Sequence, residues 1–342
     1  MNKKRWMIIS VLLVMLSFLP TVNAQAAEAA GAGFTLEAVR PDNQISDATY
    51  FDLQVAPNQT EDLTVRVTNQ EDQAIKVEVS PNPAFTNQNG TIEYSQHDYP
   101  KDSSAQYTLS ELISGPQEVQ LNPKESKDVT FNVKVPADSF KGTISGGFYG
   151  KEVDQTEETQ ASDQQATLSI KNEYALVLGI SLTEDANQKV TPELKLNDVK
   201  PALADSHTAV IANLQNVEPV AFGAMTVDAK IYKKGDSEVL KETKKENQEM
   251  APNSNYDFAV GWDNQPLQAG DYQLKLDATS GSKTWHFERD FTIAADEAKT
   301  INKKAVDLPE QNYWWLLIIL LVVILLGATY AYGKRKGKQG SR

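Results

Sequence analysis

The chain has 342 residues, a formal net charge of -13 and an isoelectric point near 4.8. It contains no cysteine, which excludes disulfides, thiol catalysis, cysteine-ligated metal and a lipidated N-terminal cysteine. His97, His207 and His286 are scattered without metal-ligand spacing, and there is no EF-hand loop, HExxH, P-loop or GxSxG motif. No metal, no cofactor and no enzymatic activity are therefore expected.

The first residues carry Lys3, Lys4 and Arg5, followed by an apolar stretch from Trp6 to Leu19, then Pro20 and small residues. Ala24-Gln25-Ala26 fits a small-x-small cleavage pattern, so residues 1–26 are expected to be a cleaved signal peptide. Next comes strict alternation. EDLTVRVTN places Leu63, Val65 and Val67 on one face, AIKVEVS does the same with Ile75, Val77 and Val79, and KDVTFNVKVP with Val129, Phe131, Val133 and Val135. Period two with polar residues between marks half-buried strands. The clusters APNQT, SPNP, NQNG and LNPKES are expected to be the turns between them, and YTLSELI (107–113) a short helix. In GTISGGFYGKEV, Gly146 and Gly147 suggest a bulge or a close backbone approach.

The polar, acidic stretch at 153–166, with Glu157 and Glu158, predicts a loop or linker. After it, LSIKNEYALVLGISL, TAVIANLQN, MTVDAKIYKK, YDFAVGW, GDYQLKLDAT and KTWHFERDFTI again read as strands, with Asn253, Gly270 and Gly281 at turns. The expected fold is all-β, with two extracellular immunoglobulin-like antiparallel β-sandwich domains, at 33–152 and 163–301. The first extends to about residue 182 if LSIKNEYALVLGISL pairs with the Gly-rich strand as a hairpin.

Residues from Trp314 to Ala331 are apolar apart from Thr329, and Tyr313, Trp314, Trp315, Tyr330 and Tyr332 mark the two ends. At about 1.5 Å per residue such a helix is long enough for a bilayer core of roughly 30 Å. A transmembrane helix is expected at 314–332, with a basic cytoplasmic tail at 333–342 that carries Lys334, Arg335, Lys336, Lys338 and Arg342. The protein is then a single-pass membrane protein with its domains outside, in the cell wall. The expected exterior part holds 25 cations against 46 acids, a surface that repels nucleic acid phosphate and anionic wall polymers. An exported chain without cysteine points to a Gram-positive source. LPEQN (308–312) precedes the apolar segment as a sorting signal would, but Gln311 and Asn312 stand where LPxTG has Thr and Gly.

Several motifs occur in a fixed order: NPAFTNQNGTIEYS, LNPKESKDVTFNVKVPADSFKGTISGGFYG, IKNEYALVLGISL, LKLNDVKP, VIANLQN, KKGDSEVL, MAPNSNYDF, LQAGDYQLKLDA and NKKAVDL. From about Phe34 to the tail the chain resembles the WxL-interacting proteins of Gram-positive cell surfaces. That resemblance implies a first domain that binds peptidoglycan and a second that binds host extracellular proteins. It also implies partners bearing WxL domains.

Against this background Asn87, Asn89, Tyr94 and Tyr99 are candidate peptidoglycan-binding residues. Amide and phenol groups suit sugar hydroxyls and peptide amides, and aromatic faces stack on sugars; the plainer alternative is turn chemistry and strand packing. Trp262 and Trp285 are candidate partner-binding anchors, with core filling as the plainer alternative. The reading is a non-enzymatic surface adhesion or scaffold protein. A sortase-attached adhesin, a membrane-tethered assembly chaperone and a wall hydrolase are the alternatives.

Overall fold

The computed structural model describes residues 31–153, 174–308 and 318–329. The expected signal peptide, the acidic segment with Glu157 and Glu158, and the basic tail lie outside the described residues. In chain order the elements of the first body are β1 (Phe34–Val39), β2 (Phe51–Gln54), β3 (Thr60–Asn69), β4 (Ile75–Pro83), β5 (Phe85–Thr86), β6 (Ile92–Glu93), α1 (Leu109–Leu112), β7 (Gln117–Leu121), β8 (Ser126–Lys134), β9 (Thr143–Glu152) and β10 (Ala175–Thr183). Those of the second are β11 (Leu194–Ala204), β12 (His207–Asn216), β13 (Phe222–Lys233), β14 (Val239–Met250), β15 (Ser254–Gly261), β16 (Gly270–Ser280), β17 (Lys283–Ile293) and α2 (Ala295–Lys304).

Alternation builds the first body. Leu63, Val65 and Val67 on β3, Val77 and Val79 on β4, and Phe131 and Val133 on β8 are all fully buried. Each strand thus has one face that must leave water, and two sheets close on each other to achieve it. One sheet runs β1-β3-β8 and the other β2-β10-β9-β4-β7. Phe148 of β9 sits between them, 4.6 Å from the Phe131 ring and 5.7 Å from that of Phe51.

The second body is built the same way from β11-β12-β15 and β14-β13-β16-β17. Its core contains Val227, Ile231, Tyr256, Phe258, Leu274 and Leu276. The pairing is antiparallel with one departure from the expected pattern: β10 runs parallel to β2 while pairing antiparallel with β9. The strand left open by the sequence therefore lies in the sheet of the first sandwich.

One local expectation is corrected and one open alternative is decided. SPNP is not a turn: Pro81 and Pro83 lie within β4, opposite Phe148 and Gly146 of β9. β7 pairs with β4 only as far as Val79, and the Ala84 N–H points to the β9 side, at Ser145 O. By the alternation of an antiparallel ladder, the nitrogens of Pro81 and Pro83 face the side where β7 has ended, so no bond is lost. Gly146 and Gly147 mark close approach rather than a bulge, since the register there is unbroken. A Cβ on Gly146 would stand 2.3 Å from Leu109 Cδ2 of α1 and 2.4 Å from Asn82 O.

One further element, α2, is not foreshadowed by the alternation. Asp296 and Glu297 occupy its first turn and Lys303 and Lys304 its last, the polarity that suits a helix dipole. Ala298 and Ile301 meet the second core, and Asn302 clamps Leu267 by bonding both its N–H and its carbonyl. The expected span at 314–332 is described only over 318–329, which are helical (α3) with exposed apolar side chains. Among the described residues no helix is long and apolar enough to cross a membrane.

Magnitudes decide what holds each sandwich together. Burying a Val, Leu or Phe side chain contributes about 1.5–3 kcal/mol, whereas an exposed ion pair such as Arg66–Asp128 at 2.8 Å is screened by solvent and contributes far less. Phe148→Ala is expected to cost about 3–5 kcal/mol and Arg66→Ala to leave stability nearly unchanged. Urea unfolding midpoints check this, and equal shifts for the two variants would contradict it.

Candidate functional site

Three of the four sugar-binding candidates gather where the two bodies meet. The β5–β6 hairpin of the first body reaches out and lies against β14 and β15 of the second. Its tip is a turn closed by Gly90 N–H to Asn87 O at 3.0 Å. The Asn87 side chain organises that turn: its oxygen accepts from the N–H groups of Asn89 and Thr91, and its amide donates to Glu93 Oε2. Gly90 has φ +72°, and its Cβ position would fall 2.1 Å from Gln248 Oε1 and 2.8 Å from the Tyr256 ring. Only glycine fits, both for conformation and for space. The Gly90 carbonyl accepts from Glu249 N–H at 2.7 Å, which extends β14 by one bond into the first body.

Behind the tip lies a buried polar junction. The Thr86 hydroxyl accepts from Ala251 N–H at 3.0 Å and meets Ser254 Oγ at 2.7 Å. Ser254 spends its own proton on Ala251 O, so Thr86 is the donor between the two hydroxyls. A second junction centres on Asp102. Its carboxylate accepts from the Ser104 N–H and hydroxyl of its own loop, from Gln215 Nε2 and from Asn255 Nδ2. Asn253, held at φ +45°, donates to Ser104 Oγ. At the third junction Gly142, at φ +69°, abuts Pro219, and Lys141 pairs with Glu218 at 2.8 Å.

Between the hairpin and the second body is a groove of about 420 Å³. Asn87, Asn89 and Tyr99 line it from the first body, together with Phe85, Glu93 and Gln96; Asn255 and Asp257 line it from the second. Tyr99 stacks on Phe85 with ring centroids 4.1 Å apart. Burial raises the Tyr99 phenol above its ordinary pKa, and the carboxylates of Asp257 and Asp102 push it the same way. Beside the groove, Asn213 donates to Asp257 Oδ1 at 2.6 Å, and the Asn197 amide shares its two hydrogens among Asn213, Gln215 and Asn255, the last at 3.3 Å. A neighbouring recess of about 180 Å³ shares Gln88, Asn89 and Asp257, with Lys200 and Lys245 on its far wall.

Tyr94 lies elsewhere. Its backbone carbonyl accepts from Asn82, and its ring is 3.4 Å from the Cβ position of Gly147, on the outer face of the five-stranded sheet. Burial raises its phenol pKa, with Glu249 and Tyr50 adding to the effect. Trp262 and Trp285 are core residues, 4% and 6% exposed. Trp262 meets Tyr272 edge-on at 5.8 Å, and Trp285 packs against Phe222 at 5.8 Å. Trp285 lies on β17 and Trp262 directly follows β15, and both rings pack inside the second sandwich. His97 bonds Pro81 O and His286 bonds Asp277; among the described residues no group of acids and histidines is placed to hold a metal.

Sequence reasoning missed Asn255 and Asp257. Asn255 immediately precedes YDFAVGW and Asp257 lies within it, so both read only as the polar side of a strand, and nothing local links them to a turn far upstream. The one available signal was Asn89-Gly90, whose glycine now proves to be the contact point.

Comparison with known proteins fits this two-body arrangement. Residues 34–152 match the family model described as WxL Interacting Protein, peptidoglycan binding domain, and residues 165–303 match that of the WxL Interacting Protein, host binding domain. The chain belongs to the WxL-interacting protein family and is a cell-surface binding protein. The second match begins ahead of β10, the strand that the fold places in the first sandwich. No curated protein sequence matches the chain. Among solved structures it is similar to the E. coli chaperone DraB, at 14% identity and TM-score 0.28, covering 76% of this chain and 98% of that one. It is also similar to the class 5 fimbriae chaperone CfaA, at 13% identity and TM-score 0.26, covering 75% and 98%.

Gly90→Ala is expected to lever the hairpin off the second body, at a cost of about 1–3 kcal/mol each for overpacking and for the left-handed backbone. Hydrogen exchange at the Glu249 and Ala251 amides checks this, since their acceptors belong to the hairpin. Gly235→Ala, also at positive φ but in open space, is expected to leave those amides protected. Unchanged protection in Gly90→Ala would contradict the assignment.

Proposed function

We propose that this protein is a non-enzymatic scaffold of the Gram-positive surface. In this reading the first sandwich binds peptidoglycan, the second binds host or WxL-domain proteins, and the apolar segment near the C-terminal end holds the chain in the membrane. The observation that carries the wall-binding part is the groove at the hairpin, where Asn87, Asn89 and Tyr99 converge in a body that matches a peptidoglycan-binding family model. Amides and a phenol beside a stacked aromatic pair supply the donors, acceptors and ring surface that a neutral glycan needs.

Attachment of the second body to its partner by strand addition finds little support. β14 is a sheet edge, but it carries Lys241, Lys244 and Lys245, which oppose strand pairing. The flank of β17 is tied to the neighbouring sheet, because Arg289 donates to the carbonyls of Leu196 and Asn197. A side-chain surface of the second body is the better partner-binding element. Tethering at the membrane raises the effective concentration of wall and partner alike, so individually weak contacts suffice.

The purified full-length chain is expected to co-sediment with peptidoglycan sacculi and to be released when a muramidase digests them. Asn89→Ala, at an exposed groove position, is expected to reduce that binding several-fold. Absence of co-sedimentation by the wild-type chain would refute the wall-binding role.

A further inference from the structure

The groove that this reading assigns to the wall glycan is not the property of one body, and we propose that Asn255 and Asp257 of the second sandwich bind the glycan together with Asn89 and Tyr99 of the first. The inference rests on the peptidoglycan-binding reading and goes beyond it, since the matched peptidoglycan-binding region ends at residue 152.

Three observations carry it. First, the groove of about 420 Å³ takes its walls from both bodies, so a ligand that fills it touches both. Second, Asn255 and Asp257 are held in place before any ligand arrives. Asn213 fixes Asp257 Oδ1, and Asp102 fixes the amide nitrogen of Asn255, whose oxygen has a further, shared contact from Asn197. A preorganised polar group binds without the cost of immobilising it. Third, the lining is rich in acceptors and poor in charge of the opposite sign. It contains the carboxylates of Glu93 and Asp257, and neither lysine nor arginine.

That chemistry selects the ligand class. Paired hydroxyls and N-acetyl N–H groups of an amino-sugar chain donate to carboxylate and amide oxygens, and Tyr99 offers a ring beside them. A phosphodiester polymer would set its negative charge against two carboxylates, a repulsion of several-fold or more in affinity at low salt. The structure thus assigns the groove to an uncharged N-acetylated amino-sugar chain.

The test uses the full-length chain with two probes, intact sacculi and a β-1,4-linked N-acetylglucosamine oligomer. Asp257→Ala is expected to weaken binding to both at least tenfold. Asp257→Asn, which keeps an acceptor and the shape of the side chain, is expected to retain more of it. Asp277→Ala, on the other sheet of the second body, is expected to bind as wild type. Exchange protection of the Ala251 amide reports whether the bodies stay docked, since among the described residues Asp257 is bonded to Asn213 of its own body. Wild-type affinity in a docked Asp257→Ala chain, with binding lost in Asn89→Ala, would overturn the two-body site and leave the wall-binding reading standing. Failure of the wild-type chain to bind sacculi would overturn that reading and this inference together.

Discussion

A backbone position with no room for a methyl group joins the two halves of this protein. Gly90 sits against Gln248 and the Tyr256 ring at a distance that only a hydrogen atom permits, and its carbonyl completes the last bond of β14. Together with the Thr86 bond to Ala251, that contact fixes where the β5–β6 hairpin lies. The hairpin in turn fixes the Thr86–Ser254 hydroxyl pair, buries it, and sets Asn87 and Asn89 opposite Asp257. A buried hydroxyl is stable there because every donor finds an acceptor; left unpaired, each would cost about 1–3 kcal/mol. The geometry of the groove is therefore a consequence of how two cores of ordinary sandwich type are docked.

Most of the junction is polar, which distinguishes it from the two cores. Asp102 alone gathers donors from its own loop and from both Gln215 and Asn255. Such an interface contributes less per unit area than apolar burial but is far more selective about register, because a shifted hairpin leaves carboxylate and amide groups unsatisfied. The two bodies are held in one orientation by complementarity of hydrogen bonds, and the ligand-sized space between them inherits that definition.

The cores were legible in the sequence because alternation is a local signal. Leu63, Val65 and Val67, or Val129, Phe131 and Val133, announce their buried face in a few residues. β14 was not legible: VLKETKKENQEM pairs charges across strands, as in Lys230 with Glu242, and needs its neighbours before it reads as a strand. Pro81 and Pro83 read as a turn because the absence of β7 beside them is a fact of topology, not of sequence. The site was half legible for the same reason. Asn87, Asn89 and Tyr99 lie in a stretch of turn and aromatic residues that draws notice, whereas Asn255 and Asp257 acquire meaning only when a distant hairpin arrives. Trp262 and Trp285 drew notice by rarity, and the fold spends both on packing.

β10 returns to the first sandwich before the chain crosses to β11, and Gln188 on the crossing bonds Gly142 N–H on the way. The passage between the bodies is thus short and fastened, with further fastenings at Gly90, Asp102 and Lys141. Under tension applied at opposite ends, such a molecule does not first pay out slack. Force is borne by the hydrogen-bonded junctions as well as by the covalent passage, so separating the two sandwiches requires breaking the bonds at Gly90, Asp102 and Lys141.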